Sequence, residues 1–406
     1  MRTLPLLIVL AILSGCNPYS KMVNKAVGLG TTQYQNAIAY KPGDSNKFVP
    51  RTVTSGGKLV TVDMYDWVSG FFAGDLWLMY KLTNKPYWKN EAITWTEKLA
   101  PVRNYYGHHD VGFMIGSSYG NGYHIGGLKQ YDTIMVKAAQ SLCKRFSPTV
   151  GCIKSWNNGK SWDGVTKWNY PVIIDNMMNL ELLFEATQMS GDSSYWKVAI
   201  SHANTTLKNH FRPDFSSYHV VNYNENTGAV LNKETCQGFT NESAWARGQA
   251  WGLYGFTTCY RYTKDDKYLN RAKNIAQYWL SNKDMPSDGI PYWDFNANDT
   301  SLKPQWKFDR SKYPAMPRDV AAAAIAASGL IELSRYVERS LKDLYLSAAK
   351  RIIASLTQSY LADTSRNRYF ILDHSVGSLP HGNEIDAPLC YADYYYLEAL
   401  VRLKGK

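Results

Sequence analysis

One phrase recurs along the chain, and it limits the folds available. An apolar helical stretch ends in a short Thr, Gly, Asp or Asn turn; a Tyr or Trp follows, and a new amphipathic helix begins. Leu76-Trp77-Leu78-Met79-Tyr80 runs into Thr83-Asn84-Lys85-Pro86-Tyr87-Trp88. Leu182-Leu183-Phe184 runs into Ser190-Gly191-Asp192 and then Tyr195-Trp196-Lys197-Val198-Ala199. Trp251-Gly252-Leu253-Tyr254 leads to Thr263 through Tyr268, and Leu330-Ile331-Glu332-Leu333 leads to Tyr345 through Ala349. Leu397-Glu398-Ala399-Leu400 opens the phrase once more near the end. A repeat of this kind is a helical hairpin that cannot bury its apolar face alone, so it must pack on its neighbours. A handful of such hairpins can close into a ring of inner and outer helices. Strict period-two alternation is nearly absent, and short strands are expected only near Tyr218-His219-Val220-Val221 and Arg368-Tyr369-Phe370-Ile371-Leu372. The chain therefore reads as one mainly helical domain.

The N-terminus has a separate purpose. Met1-Arg2 is a short positive start, and the apolar run Leu4 to Leu13 is too short to span a bilayer as a mature helix. It ends in Leu13-Ser14-Gly15-Cys16, which resembles a bacterial lipobox with Cys16 as the lipidated residue. Asn17 follows in place of Asp, which points to the outer membrane. The expected division is a lipoprotein signal over residues 1–16. A barrel domain then covers residues 17–406, opening with a short polar tether and a first helix over 17–50, with Pro18, Pro42 and Gly43 as breaks. Localisation is expected at the cell envelope, facing the periplasm, with membrane contact only through the lipid anchor.

The formal charge of +11 favours polyanionic partners. No dense Lys/Arg run or nucleic-acid motif accompanies it, so nucleic acid is not expected. The 14% aromatic content, with 13 Trp and 30 Tyr, suits either thick helix packing or sugar-binding faces. Five cysteines besides Cys16 match no zinc spacing, and most read as small buried hydrophobes, although Cys143 and Cys152 are spaced to form a disulfide. HExxH, P-loop, GxGxxG and GxSxG motifs are all absent, and the adjacent His108 and His109 make a poor chelating pair. No metal or cofactor is called for.

Four segments combine ionisable groups with aromatics. In His108-His109-Asp110-Val111-Gly112-Phe113-Met114 an acid follows two histidines. In Ile173-Ile174-Asp175-Asn176-Met177-Met178-Asn179 a lone acid sits among apolar residues at a helix start. It reads either as an N-cap or as a general acid with a raised pKa. His219, in Ser217-Tyr218-His219-Val220, reads as a structural hydrogen-bonder or a site residue. Gln237 precedes Trp245-Ala246-Arg247-Gly248-Gln249-Ala250-Trp251, where Arg247 is placed to stack or to clamp a carboxylate through two parallel bonds.

Taken together these segments resemble the unsaturated glucuronyl hydrolases, glycoside hydrolase family 88. Asp66-Trp67 with Gly70-Phe71, Gly289 through Phe295, and Tyr391-Ala392-Asp393-Tyr394-Tyr395 extend the likeness over about residues 60–400, in order. Asn176 departs from the Thr common in the family. The resemblance implies an (α/α)6 barrel with a cleft at one end. It also implies removal of a 4,5-unsaturated hexuronic acid from the non-reducing end of lyase-made oligosaccharides, by hydration of the C4=C5 double bond. It puts Asp175 in the role of acid and base, with Asp110 nearby to raise the Asp175 pKa and bind sugar hydroxyls. His109, His219, Gln237 and Arg247 would surround the unsaturated sugar, and Trp67, Trp245, Trp251 and Tyr394 would offer stacking faces. Net charge favours glycosaminoglycan fragments as substrate. The alternatives are a related unsaturated rhamnogalacturonyl hydrolase, a conventional two-carboxylate glycosidase acting at the anomeric carbon, and a non-catalytic glycan-binding lipoprotein.

Overall fold

The computed structural model describes residues 18–404, so Cys16 lies outside the described residues. Helices dominate: α1 (Pro18–Ala39), α2 (Ser69–Thr83), α3 (Pro86–Glu97), α4 (Val111–Ile115), α5 (Asn121–His124), α6 (Asp132–Cys143) and α7 (Leu180–Ser190). They continue with α8 (Ser193–Asn209), α9 (Ala246–Thr263), α10 (Asp266–Ser281), α11 (Val320–Leu333), α12 (Arg339–Ser359) and α13 (Cys390–Lys404). Short strands stand in the loops: β1 (Val49–Val53), β2 (Leu59–Val62), β3 (Phe146–Ser147), β4 (Cys152–Ile153), β5 (Tyr170–Ile173), β6 (Val220–Tyr223), β7 (Val230–Glu234), β8 (Ser375–Ser378) and β9 (Asn383–Ala387).

The repeated turn has a local cause. The helix before it ends on a left-handed residue: Asn84 at φ 55°, Gly191 at φ 75° and Lys264 at φ 56°. The next helix then starts on a fresh cap. Asp192 accepts the Ser194 N–H at 2.8 Å, Asp265 accepts that of Lys267 at 3.1 Å, and Pro86 takes the first helical position after Lys85. The chain thus reverses within a few residues, and each inner helix is followed by an antiparallel outer one.

Burial separates the two rings. Helix α11 is buried at every position from Val320 to Leu333, as a helix surrounded by others must be. Helix α10 buries a single stripe, namely Tyr268, Ala272, Ile275, Ala276 and Trp279, and turns its other faces outward. The inner ring runs α2, the 111–124 segment, α7, α9, α11, α13 and back to α2. Helices α3, α6, α8, α10 and α12 lie outside it, and α1 completes the outer ring against α2 and α12. This is the (α/α)6 barrel. Close approach of two inner elements depends on Gly70, because a Cβ there would lie 2.1 Å from the Met114 carbonyl oxygen.

Three expectations need correction. Pro18 opens α1 instead of breaking a tether, since its missing N–H costs nothing at a helix start. Tyr34 and Gln33 of that helix are buried against α13 and the 367–371 loop, so α1 is part of the barrel. Arg368 to Leu372 is a loop with one isolated bridge, Leu361 to Leu372; its Ile371 and Leu372 N–H groups go to the Asp393 carboxylate, not to a strand. The β6 strand does form at Val220–Tyr223, between β5 and β7. All five described cysteines are free thiols, Cys143 and Cys152 included. Among the described residues no helix is long and apolar enough to cross a membrane.

Candidate active site

The inner helices begin at one end of the barrel, and most of the predicted site residues stand at those beginnings. Asp110 precedes α4, Asp175 lies in the 3-10 turn before α7, Trp245 and Arg247 open α9, and Trp67 lies just before α2. The N-termini of the inner helices therefore converge, and their partial positive charge favours an anion there. A cavity at this end is lined by Trp67, His109, Asp110, Asp175, Gln237 and Arg247, all expected from the sequence.

Asp175 is the carboxyl of this cavity whose surroundings most oppose its charge. It is not a helix cap, for Asn179 holds that position on α7. It is 9% exposed, and its Oδ2 has no hydrogen-bond partner among the described residues. Burial, followed by the negative charge of Asp110, pushes its pKa from an ordinary 3.8 up to about 7, while Arg247 works the other way. Asp110 is the opposite case. Burial opposes its ionisation too, but His109 and His108 outweigh that and hold its pKa below the usual carboxylate range. His108 Nδ1 lies 3.0 Å from one Asp110 oxygen, and His109 Nε2 lies 3.2 Å from the other. Burial drives the His109 pKa down to about 4, so near neutrality His109 is uncharged; burial lowers the His108 pKa too, but the hydrogen bond to Asp110 and its charge outweigh that and raise it. Two carboxyls of one cavity are thus held in different protonation states, which is the arrangement acid–base chemistry needs.

His219 stands behind Asp175 and does not line the cavity. Its Nδ1 accepts the backbone N–H groups of Cys236 and Gln237, at 3.0 and 3.1 Å. The proton of the neutral ring must then sit on Nε2, which points at Asp175 Oδ2 from 3.7 Å. Burial keeps this imidazole neutral by lowering its pKa well below 6.5.

Arg247 departs from its expected role as a carboxylate clamp. Its fork is already filled. Nη1 donates to Asp319 Oδ2 at 2.6 Å and to the Val376 carbonyl, and Nη2 donates to the Gly377 carbonyl and to Gln237 Oε1 at 3.1 Å. A buried guanidinium requires such partners, and Asp319, at the start of α11, supplies the counter-charge. By holding the Gln237 oxygen, Arg247 leaves the amide N–H2 as the group that Gln237 presents to the cavity.

The stacking faces also need revision. Trp67 lines the cavity as expected. Trp245 does not: it is 3% exposed, with His219 on its ring at 4.6 Å and the Arg247 guanidinium also 4.6 Å away. Trp251 is fully buried between Phe113 and Tyr395. Tyr394 faces the other end of the barrel, where its hydroxyl accepts from Asn121. Depth along the helix explains two of these: Tyr394 lies three residues, about 4.5 Å, further along α13 than Tyr391, and Trp251 lies six residues beyond Trp245, so both sit below the rim. Tyr391 lines the cavity instead, as does Trp156, which stacks on Trp168 at 5.9 Å.

Sequence reasoning also missed Arg51, Ser378, Asn383 and Glu384, which line the remaining wall. They come from β1 and the β8–β9 hairpin, far apart in sequence. Arg51 joins them: it binds both oxygens of Asp66 at 2.9 and 2.8 Å and both oxygens of Glu384 at 2.5 and 3.0 Å. No local pattern marks such a residue, because its partners are 15 and 333 positions away. Among the described residues no group of three or more His, Cys, Asp or Glu is arranged to hold a metal ion.

Comparison with known proteins places this geometry. The chain is 42% identical over 378 residues to an unsaturated glucuronyl hydrolase of Formosa agariphila, covering 91% of this chain and 88% of that protein. It is 33% identical to an unsaturated chondroitin disaccharide hydrolase of Streptococcus pneumoniae, over 87% of this chain and 85% of the relative. The crystal structure of an unsaturated glucuronyl hydrolase specific for heparin superposes with a TM-score of 0.84 at 42% identity, covering 95% of this chain and 99% of the other. No family model matches the chain.

Proposed function

The chain belongs to the unsaturated glucuronyl hydrolases, a family of glycoside hydrolases, and on that premise we propose that it removes a 4,5-unsaturated hexuronic acid from lyase-made glycosaminoglycan oligosaccharides by hydrating the C4=C5 bond. One observation carries the mechanism: a buried carboxyl, Asp175, with a pKa of about 7, beside a carboxylate, Asp110, that stays ionised.

The double bond and ring oxygen form an enol ether. Asp175, protonated, gives its proton to C4; the electron pair of the double bond forms the new C–H bond, and positive charge appears at C5 and the ring oxygen. Water adds at C5 and returns a proton to Asp175, which restores the acid. The product at C5 is a hemiketal; it opens to a ketone and releases the next sugar. One carboxyl thus serves as acid and then base, which requires a pKa near the working pH. Asp110 raises that pKa and accepts hydrogen bonds from sugar hydroxyls. The amide of Gln237 acts as a donor towards the water and the sugar, the Nε2–H of His219 faces Asp175 from behind, and Trp67, Tyr391 and Trp156 supply ring faces for the apolar sides of the substrate.

Incubation with a lyase-derived unsaturated disaccharide should abolish the ultraviolet absorbance of its conjugated double bond. The same disaccharide with a saturated uronate should be left intact. Cleavage of both at similar rates would show chemistry at the anomeric carbon and sink the hydration mechanism.

We further propose that Cys16 is acylated and tethers the enzyme to the envelope, facing the periplasm. The support is the Leu13-Ser14-Gly15-Cys16 motif after a short apolar run.

A further inference from the structure

A wide groove lies far from the catalytic cavity. It runs between the first two turns of α1 and the side of α12, with the last residues of α13 closing it. Its apolar surface comes from Tyr19, Met22, Leu346, Ala354 and Leu403, and its rim carries Lys21, Lys25, Lys350 and Lys404. Among the described residues no acidic side chain lines it. An apolar trough whose charged lining residues are all lysines matches a surface that is apolar beneath and anionic at its face.

Its place in the barrel matters as much as its chemistry. Helix α13 starts at Cys390, next to Tyr391 in the catalytic cavity, and ends at Lys404 in the groove. A helix of 15 residues is about 21 Å long. Thr357 and Gln358, at the end of α12, also line it, and that end returns to the catalytic side, where Ser355 donates to the Asp288 carbonyl; the groove therefore runs up the flank of the barrel from the end opposite the active site. It also sits where the chain leaves the described structure, since Pro18 lines it and Cys16 is two residues earlier.

We infer that this face seats on the anionic phospholipid surface of the membrane to which Cys16 is anchored, so that the barrel lies on its flank and the catalytic cavity opens to the side. The inference rests on the reading of Cys16 as acylated, which would put the lipid at the mouth of the groove. Acyl chains fix a protein to a bilayer but leave its orientation free; a basic face next to the anchor sets that orientation. Each lysine brought to an anionic leaflet strengthens the association by about fivefold.

The test is an amine-labelling footprint of the mature, acylated protein on phosphatidylcholine vesicles, with and without phosphatidylglycerol. Labelling of Lys21, Lys25, Lys350 and Lys404 should fall by about fivefold on the anionic vesicles and recover in high salt. Lys160, on the loop beside Trp156, should label equally on both. The variant Lys21→Glu/Lys25→Glu/Lys350→Glu should lose the protection of Lys404 while keeping full activity on the unsaturated disaccharide. Equal labelling of the groove lysines on both vesicle types, or protection of Lys160 in their place, would overturn the inference. The mass of the N-terminal peptide reports acylation separately. If Cys16 proves unmodified, the anchor reading fails, and the same footprint in excess anionic vesicles decides the groove: protection supports it and its absence overturns it.

Discussion

Moving the Asp175 pKa from 3.8 to about 7 penalises the ionised form by roughly 4 kcal/mol, and the same shift sets both its chemistry and its cost to the fold. The folded state holds this proton more tightly than the unfolded chain does. Stability contributed here is present in full below about pH 4 and is lost as pH rises through about 7. Asp175→Asn, which cannot ionise, should therefore melt at a higher temperature than wild type at pH 8, with the gap closing at pH 4. The same variant should lose about a hundred- to ten-thousand-fold in turnover while still binding substrate. A variant within a few-fold of wild-type turnover would remove Asp175 from the chemistry. In the wild type, turnover should decline as pH rises through about 7, because the acid form disappears. Arg247 gives a different kind of prediction. With its fork committed to Asp319, Gln237 and two carbonyls, its loss leaves a buried carboxylate unpaired. Arg247→Met should destabilise the fold by about 3–5 kcal/mol in denaturant titration. Arg247→Met combined with Asp319→Leu should recover much of that. A stable single variant with only a raised KM would instead restore Arg247 as a direct substrate ligand.

At the scale of elements, the site is a set of helix beginnings closed by one hairpin. The inner helices are packed on all sides and place Asp110, Asp175 and Tyr391 without adjustable parts. The β8–β9 hairpin is held differently, through the ion pairs from Arg51 to Glu384 and Asp66. Glu384 adopts a left-handed φ of 53°, a conformation that a non-glycine residue keeps only when its surroundings enforce it. Arg51→Met removes that enforcement. Losing a charge-assisted hydrogen bond costs about 1.5–3 kcal/mol, so KM should rise roughly tenfold or more as Ser378 and Asn383 lose their positions. Turnover should fall less, because the Asp175 turn does not depend on Arg51. Steady-state kinetics on the unsaturated disaccharide separate the two; an unchanged KM would mean the hairpin holds its place without the pair.

For the whole molecule, a ring of helices has two ends with different duties. One gathers the inner helix N-termini and the catalytic groups; the other carries the hairpin turns and the start of α1. An anchor at Cys16 belongs to the second end. Cys16→Ala should move the protein from the membrane to the soluble fraction or block its processing. Unchanged membrane association would mean that the attachment lies elsewhere.

The hairpin phrase marked a mainly helical domain of repeated hairpins from sequence alone, because its causes are local: a left-handed residue, a cap and a stripe of apolar positions all lie within a short stretch of chain; the (α/α)6 barrel itself came with the family resemblance. Asp110, Asp175 and Gln237 were legible for a similar reason, each standing in a short distinctive segment. Which aromatic rings face the cavity was not legible, since Trp245, Trp251 and Tyr394 differ from Trp67 and Tyr391 in their depth along the inner helices and in the neighbours that cover them. The hairpin between 111 and 143 also escaped notice, because its inner arm is a broken α–π–α run with no regular apolar period. Above all, the tertiary structure decided the partners of charge. Arg247 beside two tryptophans reads as a ligand-binding fork until Asp319, 72 residues away, fills it, and Arg51 has no local mark at all. A buried charge must be neutralised by whatever the fold brings next to it, and in a closed ring those neighbours come from any part of the chain.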